Sequence, residues 1–490
     1  MTTRLALSSG AIEGIRLDTG ITAFLGVPYA APPVGDRRFR PPAPMEPWEG
    51  VRPAASLGAA PMQGAPAPGR FLADLSSPYQ SEDCLNLNVW TPSADPAARL
   101  PVMVWIYGGA FVAGSNAVPA YDGSRLAARG VVVVSVNYRL GLLGWLRCPA
   151  IGTTGNEALA DQRAALDWVQ REIEAFGGDP GNVTVFGESA GATSIAAHMA
   201  AGAIGGFTRA VLQSGSYNLV SSVAEADDTA SRVLAHLGVP AGKLRELPVE
   251  MLMAAKEAAT PRAGGVFYRP VTDGGLVPED PGGVLSAGVG VPVLCGTNRH
   301  EMGFFWGRDE RFDQVTDEQL RSLVGRWHEH PDDVVSTYRR ARTLSREPVG
   351  NRDLAIAIGS DWTFRAASAA LAGWQSTSGP AHMYRFDWES PLFDGLIGAA
   401  HVLEVPFVFG TYDHPTIAGF TGHDRRPEEV AALSDEMAGA WVSYATNGNP
   451  GWPRYEARRR VTRTFGGGRK TMDGPNHLEL ALWDPRHLHR

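Results

Sequence analysis

The sequence predicts an α/β protein with a mostly parallel central sheet flanked by helices. Short runs of consecutive apolar residues alternate with longer segments of helical periodicity along most of the chain. Parallel strands that are buried on both faces produce such continuous apolar runs. With 44% hydrophobic residues among 490, the chain can bury a large core. We therefore expect one domain over residues 1–490, in which helix-rich excursions near residues 217–290 and 303–375 wall a pocket.

The individual elements are predicted in chain order. Residues 10–30 alternate around Gly and Asp and predict a small β-meander, whereas residues 31–80, rich in Pro, Gly and Ala, predict an irregular course. The strand candidates that follow are Leu85–Trp90, Val102–Tyr107, Val131–Asn137, Val183–Phe186, Ala210–Gln213, Val293–Thr297 and Met383–Trp388. Two segments carry apolar residues in helical phase, Glu157–Phe176, which is followed by two glycines, and Glu428–Tyr444.

Composition and charge exclude several classes of function. The net charge is −8 with acidic and basic residues interspersed, which argues against nucleic-acid binding. The first ten residues lack the apolar segment of a secretion signal, and no apolar run reaches 18 residues, so we expect a cytoplasmic protein without a membrane span. The three cysteines, Cys84, Cys148 and Cys295, are too scattered for a disulfide framework or a cysteine metal site.

The strongest local signal is the pentapeptide Gly187-Glu188-Ser189-Ala190-Gly191. A β-branched run precedes it and a stretch of small, helix-compatible residues follows, which predicts a strand, a sharp turn and a helix. Glycines at both ends of the turn are needed because Cβ atoms would crowd so tight an elbow. The turn would expose Ser189 Oγ in front of a helix N-terminus, which favours a developing negative charge.

Other reactive residues also follow predicted strands, where ligands of parallel sheets bind. Gly108-Gly109-Ala110-Phe111 follows one strand, His300 and Glu301 follow another, and a loop after the strand at 383–388 leads to His401. The order Ser, Glu, His is the chain order of α/β-hydrolases, in which a histidine base takes the serine proton and a carboxylate orients the histidine. Position alone leaves both partners open among 12 histidines and many acids.

Some competing residues are disfavoured by spacing. His198 lies nine residues beyond Ser189 on the predicted helix, too far for its ring to reach Ser189 Oγ. His300-Glu301 begins like a zinc-protease motif, but position 304 is Phe instead of His. Glu404, three residues after His401, is a rival to Glu301 as the carboxylate that orients His401.

The chain resembles the type-B carboxylesterase/lipase family, the cholinesterase-like branch of the α/β-hydrolases, over nearly its whole length. The resemblance rests on many short stretches, which are Gly26–Ala30, Pro32–Gly35, Ser81–Val89, Trp105–Gly109, Asn137–Arg139, Phe176–Pro180, Gly187–Gly191, Gly296–Asn298 with Glu301, and Gly398–His401 with Glu404, Pro406 and Phe409. It implies Ser189 as nucleophile, Glu301 as acid and His401 as base. It also implies an oxyanion hole formed by the N–H groups of Gly109, Ala110 and Ala190.

Departures from the family pattern refine this expectation. Ala110 replaces the third glycine of a three-glycine turn, which narrows the pocket without removing a backbone donor. Met62 stands near the place of the cysteine that pairs with the Cys84 equivalent in secreted relatives, so we expect Cys84 to be a free thiol. Residues 63–83 lack the tryptophan that stacks on choline in cholinesterases.

We therefore expect a serine carboxylesterase that hydrolyses uncharged, fairly apolar esters through an acyl-enzyme, without a cofactor or a metal. Its expected partner is a small-molecule ester, and neither nucleic acid nor membrane is expected. One alternative is the same machinery acting on amides, carbamates or lactones. Another is a non-catalytic interaction module, which the retained serine, glutamate and histidine disfavour. The sequence leaves the natural ester and the oligomeric state open.

Overall fold

The computed structural model describes residues 2–64, 79–202, 206–259, 268–468 and 470–488. In this part of the chain, one sheet contains thirteen strands, and a short hairpin at residues 147–154 lies apart from it. The strands are β1 (Thr2–Leu7), β2 (Gly10–Arg16), β3 (Thr22–Pro28), β4 (Val51–Pro53), β5 (Asn86–Thr91), β6 (Leu100–Ile106), β7 (Val132–Val136), β8 (Arg147–Cys148), β9 (Thr153–Thr154), β10 (Gly178–Glu188), β11 (Arg209–Gln213), β12 (Val293–Asn298), β13 (Ala381–Phe386), β14 (Val461–Phe465) and β15 (Thr471–Asp473).

The centre of the sheet is parallel and its margins are antiparallel. The strand order is β1-β2-β3-β5-β7-β6-β10-β11-β12-β13-β14-β15, with β4 paired to β2. All pairs from β7 through β6 to β14 are parallel. Because β10, β11, β12 and β13 are consecutive parallel neighbours, their carboxyl ends meet at one edge of the sheet.

The described ranges also contain sixteen α-helices. They are α1 (Ser124–Ala127), α2 (Gly141–Trp145), α3 (Glu157–Glu172), α4 (Ala190–Ala200), α5 (Val223–Leu237), α6 (Val249–Ala259), α7 (Pro281–Ser286), α8 (Gly303–Trp306), α9 (Asp317–Val324), α10 (Pro331–Leu344), α11 (Asn351–Ser360), α12 (Ala366–Gln375), α13 (Val405–Phe409), α14 (Ala418–Thr421), α15 (Pro427–Asn447) and α16 (His477–Leu480). A π-helical turn, Asp361–Arg365, joins α11 to α12. Within the described ranges, no helix combines the length and the hydropathy that a membrane-spanning segment requires.

The alternating residues of β10 explain why both faces of the sheet are apolar. The Phe186 ring stacks on Phe409 of α13 with centroids 5.5 Å apart, and Trp105 of the neighbouring strand packs against both rings. On the opposite face, a Cβ atom built on Gly187 would lie 2.9 Å from the backbone of Gly191 in α4. Helices therefore cover both faces, as the continuous apolar strands predict.

The predicted fold class is confirmed, and the structure refines the boundaries of its elements. All seven strand candidates are strands, although β10 begins at Gly178, before the β-branched run. The helix predicted at 157–176 is α3 followed by a 3₁₀ turn, Ile173–Phe176, which Gly177 ends with φ = 78°. The sequence analysis missed strands β1, β4, β8, β9, β14 and β15, because these short segments carry no clear apolar run. Strand β4 lies in the region 31–80 that was predicted to be irregular.

Candidate active site

The sharp turn after β10 holds Ser189 in a strained backbone conformation. Its φ is 54° and its ψ is −120°, and its N–H donates to the carbonyl of Gln213 at 2.8 Å. Helix α4 begins at the next residue. Gly191 is required here because a Cβ atom would lie 1.9 Å from the carbonyl oxygen of Ile106. The predicted strand–turn–helix is therefore observed, with the serine at its apex.

Glu301 and His401, which are 100 residues apart in sequence, are in direct contact. The Nδ1 atom of His401 lies 2.6 Å from Oε2 of Glu301. The other carboxylate oxygen, Oε1, accepts hydrogen bonds from Ser214 Oγ at 2.6 Å and from the N–H of Asn298 at 2.7 Å. Both side chains are buried. A buried, fully hydrogen-bonded carboxylate of this kind fixes the orientation of the histidine ring and stabilises its charged form.

The other ring nitrogen of His401 faces the sharp turn. Nε2 lies 3.0 Å from Oε1 of Glu188, the residue before Ser189. This distance is that of an ion pair, but the two atoms do not have hydrogen-bond geometry. Ser189 Oγ makes no hydrogen bond to His401 in the described structure. The structure thus joins Glu301 to His401 and brings the ring to the neighbour of Ser189. A Ser189–Nε2 hydrogen bond requires a side-chain adjustment, as is common in ligand-free sites.

The carboxylates around His401 change its acidity. Burial lowers the pKa of His401, but the negative charges of Glu188 and Glu301, with a smaller contribution from Glu404, raise it overall to about 9. Burial raises the pKa of Glu188 well above its usual value, and its carboxylate oxygens have no hydrogen-bond donor. A general base must be neutral to accept a proton, so these charges bear directly on the pH at which His401 can act.

Glu404 is turned away from the His401 ring. Its Oε2 accepts from Asn298 Nδ2 at 2.6 Å, and its Oε1 accepts from Gln213 Nε2 at 3.1 Å. Trp441 Nε1 in turn donates to Gln213 Oε1 at 2.9 Å, which prevents the Gln213 amide from flipping. Glu404 therefore links the ends of β11 and β12 beneath the site, and burial raises its pKa to about 7.

The loop after β6 lies against the turn that carries Ser189. A Cβ atom built on Gly108 would lie 2.9 Å from Ser189 Cβ, so only glycine fits between the two segments. The carbonyl of Gly109 accepts from the N–H groups of Val112 and Ala113, both at 3.1 Å. Because the peptide bond is trans, the N–H of Ala110 points the opposite way. In the described structure neither Gly109 N–H nor Ala110 N–H donates to a protein acceptor.

Aromatic side chains surround the His401 ring. The centroids of Phe364, Phe305 and Phe304 lie 4.6, 5.4 and 6.1 Å from the ring centroid of His401. Two other aromatic residues near the site in sequence pack elsewhere. Trp306 stacks on Phe312 and Trp327, and Phe111 packs edge-on against Trp145.

Cys84 is a free, buried thiol, as the sequence analysis predicts. Met62, which stands near the place of the missing partner cysteine, lines the same small cavity as Cys84. The segment without a choline-stacking tryptophan falls largely on residues 65–78, which lie outside the described residues. Among the described residues, no group of three or more His, Cys, Asp and Glu side chains is arranged to hold a metal ion. His198, disfavoured as the base, is buried beside Gln162, and burial lowers its pKa to about 4.

This arrangement can be compared with known proteins. The sequence profile described as the Carboxylesterase family matches residues 1–467. The chain belongs to the carboxylesterase family. It is 38% identical to para-nitrobenzyl esterase of Bacillus subtilis (strain 168) over 478 residues, which cover 92% of each chain. It is also 35% identical to phenmedipham hydrolase of Pseudarthrobacter oxydans over 466 residues, which cover 90% of each chain.

Solved structures give the same result for this carboxylesterase. A carboxylesterase of Geobacillus stearothermophilus matches with a TM-score of 0.87 and 35% identity, covering 98% of this chain and 100% of that chain. A PNB esterase matches with a TM-score of 0.85 and 34% identity, covering 99% of this chain and 100% of that chain. The protein therefore has the α/β-hydrolase fold and is a carboxylic ester hydrolase.

Several residues that shape the site of the carboxylesterase were not predicted from sequence. Glu188 lies inside the pentapeptide, so its position next to Ser189 could have indicated that its side chain lies in the site. Gln213 ends a predicted strand beside the sharp turn and could have been found in the same way. Phe364 had no such signal, because it lies in the π-helical turn of a helix-rich segment far from any predicted strand end.

Proposed function

We propose that the enzyme hydrolyses uncharged, fairly apolar carboxylic esters through Ser189, His401 and Glu301. The observation that carries the proposal is the 2.6 Å contact between His401 Nδ1 and Glu301 Oε2. It leaves Nε2 facing the turn that carries Ser189. A serine hydroxyl is too weakly acidic to attack an ester unaided, so a histidine oriented in this way is the expected base.

The proposed reaction has two stages. His401 Nε2 takes the Ser189 proton as Oγ attacks the ester carbonyl, and the imidazolium then protonates the departing alcohol. Water, activated by the same nitrogen, attacks the acyl-enzyme and releases the acid together with free Ser189. Glu301 stays ionised and stabilises the imidazolium in both stages.

The proposed oxyanion hole consists of the N–H groups of Gly109, Ala110 and Ala190. Two observations support it, the unpaired N–H groups of Gly109 and Ala110 and the position of Ala190 as the first residue of α4. Helix N-termini present free N–H groups and a positive dipole end to an anion. Removing one such donor typically costs about 10² to 10³ in kcat.

The proposed preference for apolar, uncharged esters rests on the rings of Phe304, Phe305 and Phe364 around His401. Each methylene buried against such rings contributes about 0.8 kcal/mol. Esters are favoured over amides as substrates because the alcohol is the better leaving group. Amide, carbamate and lactone substrates of matched size therefore serve as comparisons with esters in a rate panel.

Covalent labelling tests the proposed nucleophile. We expect a phosphonate ester to label one site per chain, with the modified peptide containing Ser189. Ser189→Ala should abolish both labelling and ester turnover, whereas Ser216→Ala, whose hydroxyl donates to the carbonyl of Ala367, should retain both. Persistent stoichiometric labelling of Ser189→Ala, mapped to another serine, would refute the assignment.

A further inference from the structure

The loop that carries the proposed oxyanion donors is held in an unfavourable backbone conformation. Gly109, Ala110 and Phe111 have φ values of 117°, 54° and 63°. Residues other than glycine are strained in this region, and they persist there only where surrounding contacts impose the conformation. The contacts that hold this loop therefore bear on the direction in which its N–H groups point.

Gln63 holds the end of this loop through its side-chain amide. Its Oε1 accepts from the N–H of Gly114 at 2.9 Å, and its Nε2 donates to the carbonyl of the same residue at 3.0 Å. These two hydrogen bonds occupy both the N–H group and the carbonyl group of Gly114. Nε2 also donates to the carbonyl of Pro61 at 3.1 Å, and the side chain is buried.

Lys256 of α6 connects Gln63 to a second support of the loop. Its Nζ donates to the carbonyl of Gln63 at 2.7 Å although the residue is only 5% exposed. Its methylene stem covers Gly141, where a Cβ atom would lie 2.8 Å from Lys256 Cδ. The N–H of Gly141 donates to the carbonyl of Phe111 at 2.7 Å. Lys256 thus contacts Gln63, which holds the loop at Gly114, and it also contacts Gly141, which holds the loop at Phe111.

We infer that Gln63, supported by Lys256, is a positioning residue that sets the direction of the Gly109 and Ala110 N–H groups. This inference rests on the proposed function, because it assigns the loop to transition-state stabilisation. Gln63 fixes Gly114, and the Gly109 carbonyl is fixed inside the same loop by Val112 and Ala113. A shift at Gly114 would therefore turn the peptide groups that precede it.

A positioning role and a merely structural role have different kinetic consequences. Oxyanion donors act mainly on the tetrahedral intermediate, so a misdirected donor lowers kcat and leaves KM nearly unchanged. It also weakens binding of a trifluoromethyl ketone, which forms a tetrahedral adduct with the serine. A structural role lowers the melting temperature and leaves both quantities unchanged in the folded enzyme.

The test compares Gln63→Leu, which has a similar size but cannot form hydrogen bonds, with Gln170→Leu as a matched control. Gln170 also binds two backbone carbonyls, those of Pro180 and Gly206, but lies far from the loop in sequence. Because the donors are displaced and not removed, we expect kcat to fall about 10-fold in Gln63→Leu, less than the loss of a whole donor. Its KM should stay within about 2-fold, and its trifluoromethyl ketone affinity should fall in parallel with kcat. Gln170→Leu should keep both values.

Further variants keep the inference testable if Gln63→Leu does not fold. Gln63→Glu retains the acceptor for the N–H of Gly114 and should recover part of kcat. Lys256→Met retains the stem but not the Nζ donor, and should lower kcat with little change in KM. Wild-type kcat and ketone affinity in folded Gln63→Leu, or in folded Lys256→Met if the former does not fold, would overturn the inference. Ser189→Ala is measured alongside: if it remains active, the proposed function fails, whereas an inactive Ser189→Ala beside an unaffected Gln63→Leu refutes only the role of Gln63.

Discussion

Nε2 of His401 lies 3.0 Å from Oε1 of Glu188, while Nδ1 of the same ring contacts Glu301. The imidazole is thus placed between two buried carboxylates on opposite sides. This environment favours the charged ring, and it raises the pKa of His401 to about 9 despite burial, which acts in the opposite direction. Because a general base must be neutral to accept a proton, this raised pKa moves the pH range in which His401 can serve as the proposed base upward.

The first prediction is that Glu188→Gln shifts the acidic limb of the pH–rate profile to lower pH. Removing the negative charge next to Nε2 destabilises the imidazolium, so the histidine pKa falls and the neutral base is present at lower pH. The measurement is kcat/KM between pH 5 and 10 on an uncharged ester. An acidic limb at the wild-type pH would contradict the prediction, because it would show that no charge on Glu188 acts on His401.

The second prediction separates the two carboxylates that compete for His401. Glu301→Gln should remain folded and lose several orders of magnitude in kcat. In a chymotrypsin-type protease, loss of the triad carboxylate lowers kcat about 10⁴-fold. Glu404→Gln should lose less kcat. Its new amide group places a donor against Asn298 or Gln213, which should cost about 1–3 kcal/mol of stability.

Both variants would be assayed at saturating ester, with circular dichroism to verify the fold. The structural basis of the expectation is that Glu301 accepts at His401 Nδ1 while the Glu404 oxygens accept from amides at the ends of β11 and β12. A folded, nearly normal Glu301→Gln beside a folded but inactive Glu404→Gln would reverse the assignment.

The third prediction concerns substrate charge. An uncharged ester should have a higher kcat/KM than a choline ester of matched length, because the rings near His401 favour apolar groups. A quaternary ammonium group needs an offset for its desolvation, and residues 63–83 lack the tryptophan that stacks on choline in cholinesterases. The measurement is a rate panel over acyl and alcohol chain lengths with charged and neutral pairs. A higher specificity constant for the choline ester would contradict the proposed preference.

The fourth prediction concerns stability. Arg139 and Asp161 form a buried bidentate pair, with bonds of 2.8 and 2.7 Å and side chains 3% and 0% exposed. Asp161→Asn leaves the guanidinium without its countercharge and should destabilise the protein by about 3–5 kcal/mol. The matched control is Asp435→Asn at the pair with Arg129, where Asp435 is 77% exposed and the expected loss is about 0–1 kcal/mol.

Urea unfolding followed by tryptophan fluorescence measures both changes. Equal shifts of the midpoint in the two variants would contradict the prediction, because burial is the property that distinguishes the two pairs. Asp161 lies on α3 and Arg139 follows β7, so the test also probes the packing of that helix near the sheet.

The amino-acid sequence by itself determined the fold class and the position of the sharp turn. Continuous apolar strands can be buried only between two layers of helices, and the pentapeptide around Ser189 contains the glycines that its turn requires. Short-range patterns of this kind depend on neighbouring residues, so they can be read directly from the chain. The roles of Ser189, Glu301 and His401 remain predictions that the variants above test.

Only the tertiary structure decided which carboxylates face His401. Glu404 is three residues from His401 and yet binds Asn298 and Gln213, whereas Glu301, 100 residues away, contacts the ring. The position of Glu188 beside Nε2 and that of Phe364 against the ring were decided in the same way. The physical reason is that side-chain contacts across a sheet edge depend on strand order, loop course and rotamer together, and no local sequence pattern specifies all three.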